Sequence, residues 1–120
     1  VESGVGWLQC VLELFDLQWV TGDLPKEHPE YDRLPSAFIK RQVYGSCWFE
    51  RRGIDSALEA FPDNLMWETD YPHPTSQYPS PNSSALHPAD YAEEALGKVS
   101  EDTVRKVLQD TPARLYGVEV

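Results

Sequence analysis

The sequence is short of the residues that several classes of protein depend on. It has two cysteines, Cys10 and Cys47, and one methionine in 120 residues. Two cysteines in a chain of this length do not make a disulfide framework or a metal cluster, so we expect a reducing, cytoplasmic setting and two thiols in the core. The chain also contains no His-x-His, His-Glu-x-x-His or Cys-x-x-Cys motif. We therefore expect that it does not supply a complete set of metal ligands by itself.

Basic residues and long apolar runs are also scarce. Ten Lys and Arg stand against 20 Asp and Glu, which gives a net charge of −10. A protein that binds nucleic acid or an anionic membrane surface needs a clustered basic face, so we expect neither as a partner. The longest stretch without a formal charge, residues 71–89, holds five prolines and four serines. It is therefore not a transmembrane helix, and the sequence shows no N-terminal signal pattern.

What the chain does contain predicts a globular protein of the α/β class. Its residues are 41% hydrophobic and 12% aromatic, well above the share in disordered chains. Apolar residues at helical spacing predict an amphipathic helix of about four turns from Trp7 to Trp19, with its aromatic side chains packed in the core. A charged, proline-containing surface excursion is expected over residues 21–35.

Short apolar segments alternate with helical segments along the rest of the chain. Strands are predicted at residues 1–3, 43–49 and 65–70, and helices at 36–41, 53–61, 89–99 and 101–109, with Ser100 as a helix cap and Pro112 starting a last turn. This alternation is typical of a parallel sheet, and we expect the three strands to pair in chain order. Three such strands expose two edges and cannot cover both faces, so the chain is expected to be part of a larger domain.

The main candidate for chemistry is the segment Glu-Thr-Asp-Tyr-Pro-His-Pro at residues 68–74. Parallel α/β folds place their sites at the carboxyl ends of the strands. Asp70 is therefore a candidate metal ligand or general base, and the alternative is an aspartate that caps the loop backbone. His73 is a candidate for binding substrate or orienting Asp70, and the alternative is a solvated loop residue.

Three further residues belong to the same predicted rim. Strict strand alternation would point Glu68 to the same side as Asp70, and we expect Glu68 to find a partner on a neighbouring strand and to be structural. Glu2 and Ser3 end the first predicted strand and are candidate substrate-binding residues. The Gly-Val-Gly that follows lacks the third glycine of a dinucleotide-binding loop, which argues against that cofactor.

Four motifs in chain order resemble a known family. They are VESGVGWL at 1–8, RQVYGSCWF at 41–49, NLMWETDYPHP at 64–74 and ARLYG at 113–117. Together they resemble the C-terminal part of the amidohydrolase-related family that includes the aminocarboxymuconate semialdehyde decarboxylase group. The resemblance implies that residues 1–120 are a single partial domain, with roughly the last three parallel strands and flanking helices of a (β/α)₈ TIM barrel.

The same resemblance implies a metal-dependent enzyme. Asp70 matches the family's aspartate at the end of the last barrel strand, which binds the divalent metal and handles a proton of its water. Zinc is the expected metal, and His73 follows in the same motif on the substrate side. The implied activity is hydrolysis of a small organic substrate, and a homo-oligomer is left open.

The resemblance is incomplete and therefore leaves alternatives. The His-x-His pair and the mid-barrel histidine that complete the family's metal site are absent from this segment. The decarboxylase members have His-Gly-Gly at the end of the sixth strand, where this chain has Ser3 and Gly4. Glu2 or a residue outside the segment would have to replace that histidine in a non-oxidative decarboxylase, which is the alternative activity. A second alternative is a non-catalytic barrel remnant that serves as a binding or oligomerisation module.

Overall fold

The computed structural model describes residues 3–74, 76–81 and 85–120. Helices and strands alternate through most of this part of the chain. In chain order the elements are α1 (Leu8–Thr21), α2 (Leu24–Glu27), α3 (Pro35–Gln42), β1 (Gly45–Cys47), α4 (Ile54–Ala60), β2 (Leu65–Trp67), α5 (Pro88–Leu96), α6 (Glu101–Arg105), a π-helical segment (Lys106–Asp110) and α7 (Thr111–Tyr116).

The two strands pair in parallel, with α4 between them along the chain. Gly45 lies opposite Leu65, and Cys47 lies opposite Trp67, so the predicted parallel pairing is confirmed for these strands. The first predicted strand is not seen in the described residues, because Val1 and Glu2 lie outside them and Ser3 lies in a bend. Mixed helices and two parallel strands are consistent with part of a barrel.

Both strands are shorter than the sequence predicts. β1 ends at Cys47 because the N–H groups of Trp48 and Phe49 donate to the carboxylate of Glu50 rather than to a neighbouring strand. β2 ends at Trp67, and three residues later Asp70 adopts a left-handed backbone conformation with φ of 58°. After β1, hydrogen bonds to a carboxylate therefore take the place of hydrogen bonds between strands. After β2, a turn ends the pairing.

A compact apolar core lies between the strands and the helices. Asn64, the residue before β2, connects this strand to the end of α3. Its side-chain amide donates to the carbonyls of Lys40 and Val43 at 2.7 and 3.0 Å. The large side chains that are almost completely buried in the described residues are Val5, Cys47, Leu58, Leu65, Val107 and Thr111.

The first helix matches the sequence prediction in extent but not in all of its packing. Leu8 and Leu12 are buried, whereas Trp7 and Phe15 are exposed, so the prediction that the aromatic residues pack in the core is wrong for these two. Cys10 is also exposed, because it lies about 200° around the helix from Leu8. The excursion after α1 contains the short helix α2.

The C-terminal helices form one continuous helical stretch after a predicted cap. Ser100 accepts a hydrogen bond from the N–H of Thr103 at 3.1 Å, as expected for an N-cap. The predicted helix then changes to a π-helical turn, in which the N–H of Thr111 bonds to the carbonyl of Lys106. Pro112 has no N–H and its ring would collide with the carbonyl four residues earlier, so a widened turn before it accommodates the proline.

Every helix within residues 3–74, 76–81 and 85–120 lacks the length and apolar character needed to cross a bilayer.

Candidate functional site

Asp70 lies just beyond the carboxyl end of β2, as the sequence predicts. The N–H of Glu68 donates to the carbonyl of Cys47 at 3.1 Å and continues the pairing one residue past the strand. The chain then turns sharply at Asp70, whose φ of 58° is tolerated by aspartate better than by most residues. Its carboxylate is held at the strand end with only 12% of the side chain exposed.

His73 is the partner of this carboxylate. Its Nδ1 lies 3.1 Å from Oδ2 of Asp70, and its backbone N–H donates to the carbonyl of Asp70 at 2.9 Å. The imidazole is 56% exposed, so it forms the solvent-facing side of the pair. The structure therefore brings together the two residues that the sequence motif singles out, and the imidazole fixes the orientation of the carboxylate.

Thr69, the residue before Asp70, accepts two backbone hydrogen bonds from the loop that follows. The hydroxyl of Thr69 accepts from the N–H of Tyr71 at 3.4 Å, and the carbonyl of Thr69 accepts from the N–H of Gln77 at 2.9 Å. The loop from 69 to 77 is thus closed on itself at the base. The Asp70 carboxylate contacts His73 in this loop, and its role as a functional rather than a capping aspartate stays a prediction.

Neither Glu68 nor Asp70 belongs to a strand, because β2 ends at Trp67 and the backbone at Asp70 is left-handed. The strand alternation from which their common side was predicted therefore does not extend to these two residues. Glu68 is half-buried beside Cys47. Burial, followed by the negative charge of Glu50 and, more weakly, that of Glu68, raises the pKa of the Cys47 thiol to about 12. Cys47 is therefore a neutral thiol, and its Sγ donates to the carbonyl of Met66 at 3.3 Å.

Glu50 is a buried carboxylate that the sequence analysis missed. Only 8% of the residue is exposed. Its Oε1 accepts from the N–H of Val5 at 2.5 Å, and its Oε2 accepts from the N–H groups of Trp48 and Phe49 at 3.1 and 3.3 Å. Three N–H donors offset the cost of burying its charge, and the hydroxyl of Tyr91 donates to its carbonyl.

The sequence held a signal that would have found Glu50. It is the first acidic residue after the predicted strand 43–49, and it follows β1 much as Asp70 follows β2. The two strands end side by side, so a carboxylate after each of them belongs to the same end of the sheet. The Glu50 carboxylate connects the segment before α1 to the end of β1 through these hydrogen bonds. Its role is therefore structural.

The two remaining candidates lie before α1. Ser3 is exposed, its hydroxyl donates to the carbonyl of Gly4 at 3.2 Å, and the indole N–H of Trp7 lies 3.4 Å from that hydroxyl. Ser3 therefore takes part in the turn that begins the helix, and its role in substrate binding stays a prediction. Glu2 lies outside the described residues, so its predicted role stays a prediction as well.

The described residues do not bring together a full set of metal-ligating side chains. Within residues 3–74, 76–81 and 85–120, no group of three His, Cys, Asp or Glu side chains is placed to hold a metal ion. The Asp70 carboxylate nevertheless suits one ligand position, because it is an anionic oxygen donor whose orientation is fixed by a second residue. The described residues therefore fit a metal site as contributors of a single ligand.

Comparison with known families gives a match over most of the chain. A family model described as amidohydrolase matches residues 15–118. The chain belongs to the amidohydrolase family. Amidohydrolase members are generally enzymes that use divalent metals, and their fold is a TIM barrel. No curated protein matches the sequence.

Proposed function

We propose that this chain is part of a metal-dependent hydrolase of the amidohydrolase family that acts on a small organic substrate. The observation that carries the proposal is the Asp70 carboxylate, which follows a parallel strand, is largely buried and is held by His73 at 3.1 Å. Enzymes with parallel barrels use residues at this end of their strands for catalysis. The chain also belongs to a family whose members are generally enzymes, which supports a catalytic role for a carboxylate at this position.

Asp70 is proposed as the metal ligand and proton acceptor of this chain. A divalent metal, which we propose to be zinc, supplies a Lewis acid that polarises a substrate carbonyl and makes water acidic enough to react near neutrality. Asp70 takes up the proton released during attack on an ester, amide or lactone carbon. His73 holds the carboxylate through the contact of its Nδ1 with Oδ2.

Non-oxidative decarboxylation is the competing activity within the family. Ser3 stands where decarboxylase members have a histidine, and its hydroxyl is engaged with Gly4 and Trp7 at the start of α1. This local use of Ser3 favours hydrolysis. The test is the mass of the product formed from a panel of esters, amides, lactones and aromatic carboxylates. Hydrolysis gives one product (from a lactone) or two products (from an ester or amide) whose total mass is that of the substrate plus water, whereas loss of carbon dioxide would replace the proposal with the decarboxylase.

We further propose that residues 1–120 are the C-terminal part of the barrel and one partial domain. Exposed apolar side chains along α1 support this, since they would be covered by neighbouring elements in a complete barrel. These side chains are Leu14, Phe15, Leu17 and Val20. Residues 1–120 expressed alone should therefore associate in solution. A cooperative melt of a monomer would contradict the proposal and favour a self-sufficient binding module.

A further inference from the structure

A cavity lies after the carboxyl ends of both strands, beside the candidate site. Its volume is about 240 Å³, and its walls include Trp48 and Phe49, which follow β1, and Gln77 from the loop after β2. The backbone N–H of Gln77 donates to the carbonyl of Thr69, the residue before Asp70. The wall of the cavity is therefore joined by one hydrogen bond to the loop that carries the candidate metal ligand.

Most of the polar side chains in this wall are closed to a ligand. The amide of Gln77 and the indole N–H of Trp48 are completely buried. Tyr91 is 4% exposed, and its hydroxyl already donates to the carbonyl of Glu50. Arg51 differs from them, because 55% of its side chain is exposed. Of the described residues that line the cavity, only Arg51 therefore offers a ligand a polar side chain.

Arg51 is held in place by contacts that leave its hydrogen-bond donors available. Its guanidinium carbon lies 5.7 Å from the centroid of the Tyr91 ring, which is a cation–π contact. Its Nη1 lies 3.7 Å from Oε1 of Glu94, and this ion pair is too long for a hydrogen bond. Neither contact uses the N–H groups of the guanidinium. Such a planar set of donors matches the two oxygens of an anionic group.

The charges near Arg51 favour a carboxylate over a phosphate. A guanidinium binds both groups through two parallel hydrogen bonds. Here Glu94 lies close to the guanidinium, and the Glu50 carboxylate accepts from the N–H groups of the wall residues Trp48 and Phe49. Two carboxylates beside one cation repel a doubly charged phosphate more strongly than a singly charged carboxylate.

The rest of the wall favours an apolar group next to that carboxylate. Phe49, Ala85 and Leu86 line the cavity with apolar side chains. A cavity of about 150 Å³ accepts benzene, so a cavity of about 240 Å³ has room for a six-membered ring and a carboxylate.

We propose that this cavity binds an apolar group that ends in a carboxylate, with the guanidinium of Arg51 donating to the carboxylate oxygens. The carboxylate belongs to the part of the substrate that does not react, so Arg51 is a specificity-determining residue. The inference rests on the proposed hydrolase only in taking the bound group to be part of the substrate.

The test uses the full-length protein at pH 8 and three probes with the same ring. Benzoate carries one negative charge, benzamide is neutral and phenyl phosphate carries two charges. Binding is followed by the indole N–H resonance of Trp48 in NMR titrations, which is assigned by its loss in Trp48→Phe. We expect benzoate to bind about tenfold more tightly than benzamide, because hydrogen bonds between charged groups are stronger. Equal binding of benzamide, or tighter binding of phenyl phosphate, would overturn the inference.

Arg51→Gln removes the cation from the wall of the cavity. We expect this variant to bind benzoate about tenfold more weakly and benzamide as before. Arg52→Gln is the matched control, because Arg52 is the next residue, is exposed and does not line the cavity. It should change neither affinity. Equal weakening of benzoate binding in the two variants would contradict a specific role of Arg51.

Glu94→Gln gives a prediction of the opposite sign. This substitution removes the carboxylate that lies 3.7 Å from the guanidinium and competes with the ligand for it. Benzoate should therefore bind about two- to fivefold more tightly, which is the range expected for an exposed ion pair. Weaker or unchanged binding of benzoate in Glu94→Gln would show that the ligand does not bind at Arg51.

A further variant separates this inference from the proposed function. Asp70→Asn should bind benzoate with the affinity of the natural protein, because Asp70 does not line the cavity. Loss of benzoate binding in Asp70→Asn would place the carboxylate on the metal and overturn the inference. If Arg51→Gln binds benzoate normally while hydrolysis depends on Asp70, the inference is wrong and the hydrolase stands. If benzoate binds through Arg51 and no hydrolysis is found, the cavity stands and the hydrolase is wrong.

Discussion

The carboxylate of Asp70 and the imidazole of His73 form a pair within a single turn, with Oδ2 and Nδ1 3.1 Å apart. The carboxylate is largely buried, whereas the imidazole is half-exposed and faces the solvent. A second contact, from the His73 N–H to the Asp70 carbonyl, sets the distance between their backbones. Two contacts between residues three apart in the chain therefore hold the pair together.

His73→Ala should impair activity without impairing the fold. Loss of the imidazole frees the Asp70 carboxylate to rotate, and removal of a residue that orients a metal ligand typically costs about 10- to 100-fold in activity or metal affinity. We expect that loss in kcat/KM of the full-length protein. Because His73 is exposed on one side, the melting temperature should change little.

His28→Ala is the matched control for this variant. Nδ1 of His28 also lies 3.1 Å from a carboxylate oxygen, that of Glu30, but the pair is exposed in the excursion after α1. Its removal should leave kcat/KM unchanged. Equal losses in the two variants would mean that the imidazole of His73 has no special role.

Gly4→Ala should strongly destabilise the protein. Gly4 has a φ of 64°, and a Cβ atom there would lie 2.1 Å from Oε1 of Glu50. The left-handed conformation alone costs about 1–3 kcal/mol for a residue other than glycine, and the collision would also displace the carboxylate from the N–H of Val5. We expect a loss of at least about 2 kcal/mol in the free energy of unfolding, measured by urea denaturation.

Gly6→Ala tests whether this loss is specific. A Cβ atom at Gly6 would meet no heavy atom within 4 Å of the surrounding structure. Its effect on the free energy of unfolding should therefore lie within about 0.5 kcal/mol. Similar losses in Gly4→Ala and Gly6→Ala would show that the contact between Glu50 and the segment before α1 is not important for stability.

The two cysteines should differ sharply in reactivity. The pKa of Cys47 is raised to about 12 by burial and by the charges of Glu50 and Glu68, so its thiol stays neutral at pH 8, whereas Cys10 is exposed. A maleimide should label one thiol of the native protein, and Cys10→Ser should abolish that labelling. Rapid labelling of the Cys10→Ser variant would contradict the burial of Cys47.

The same shift has a consequence at alkaline pH. The unfolded chain releases the Cys47 proton near the ordinary pKa of 9.0, and the folded chain retains it until about 12. The folded state therefore binds more protons in this range, so stability is fully present below pH 9 and falls as the pH rises from there towards 12. Cys47→Ala should show a weaker decline over that window.

Much of the local architecture follows from the sequence because it depends on neighbouring residues. The periodicity after Trp7 predicts α1, and Ser100 caps α6 as its position indicates. The motif around Asp70 correctly predicts a carboxylate at a strand end with a histidine beside it. Each of these features is determined within about two helical turns or one loop.

The features that could not be predicted from the sequence depend on contacts between residues far apart in the chain. The N–H groups of Trp48 and Phe49 leave the ladder for Glu50, and that carboxylate also binds Val5, which is 45 residues away in the chain. Glu50 therefore looks like an ordinary surface residue until the fold is known. The position of Cys10 also depends on which face of α1 meets the core, and the helix carries apolar residues on more than one face.

Turnover and metal content of the Asp70→Asn variant test most directly whether Asp70 binds the metal and accepts the proton. Asparagine tolerates the left-handed backbone at this position and keeps the volume of the side chain, but it removes the charge that binds the metal and accepts the proton. We expect kcat of the full-length protein to fall about 10²- to 10⁴-fold and the bound metal, measured by mass spectrometry, to fall with it.

Two variants control for side effects of this substitution. Asp23 also has a left-handed backbone, with φ of 54°, and its side chain is exposed and paired with Lys26, so Asp23→Asn should leave kcat and metal content unchanged. Glu68→Gln should lower the melting temperature more than it lowers kcat. Of these three variants, we expect only Asp70→Asn to lose both kcat and bound metal. If Asp70→Asn keeps near-normal turnover and metal while Glu68→Gln loses both, the two carboxylates have been assigned the wrong way round.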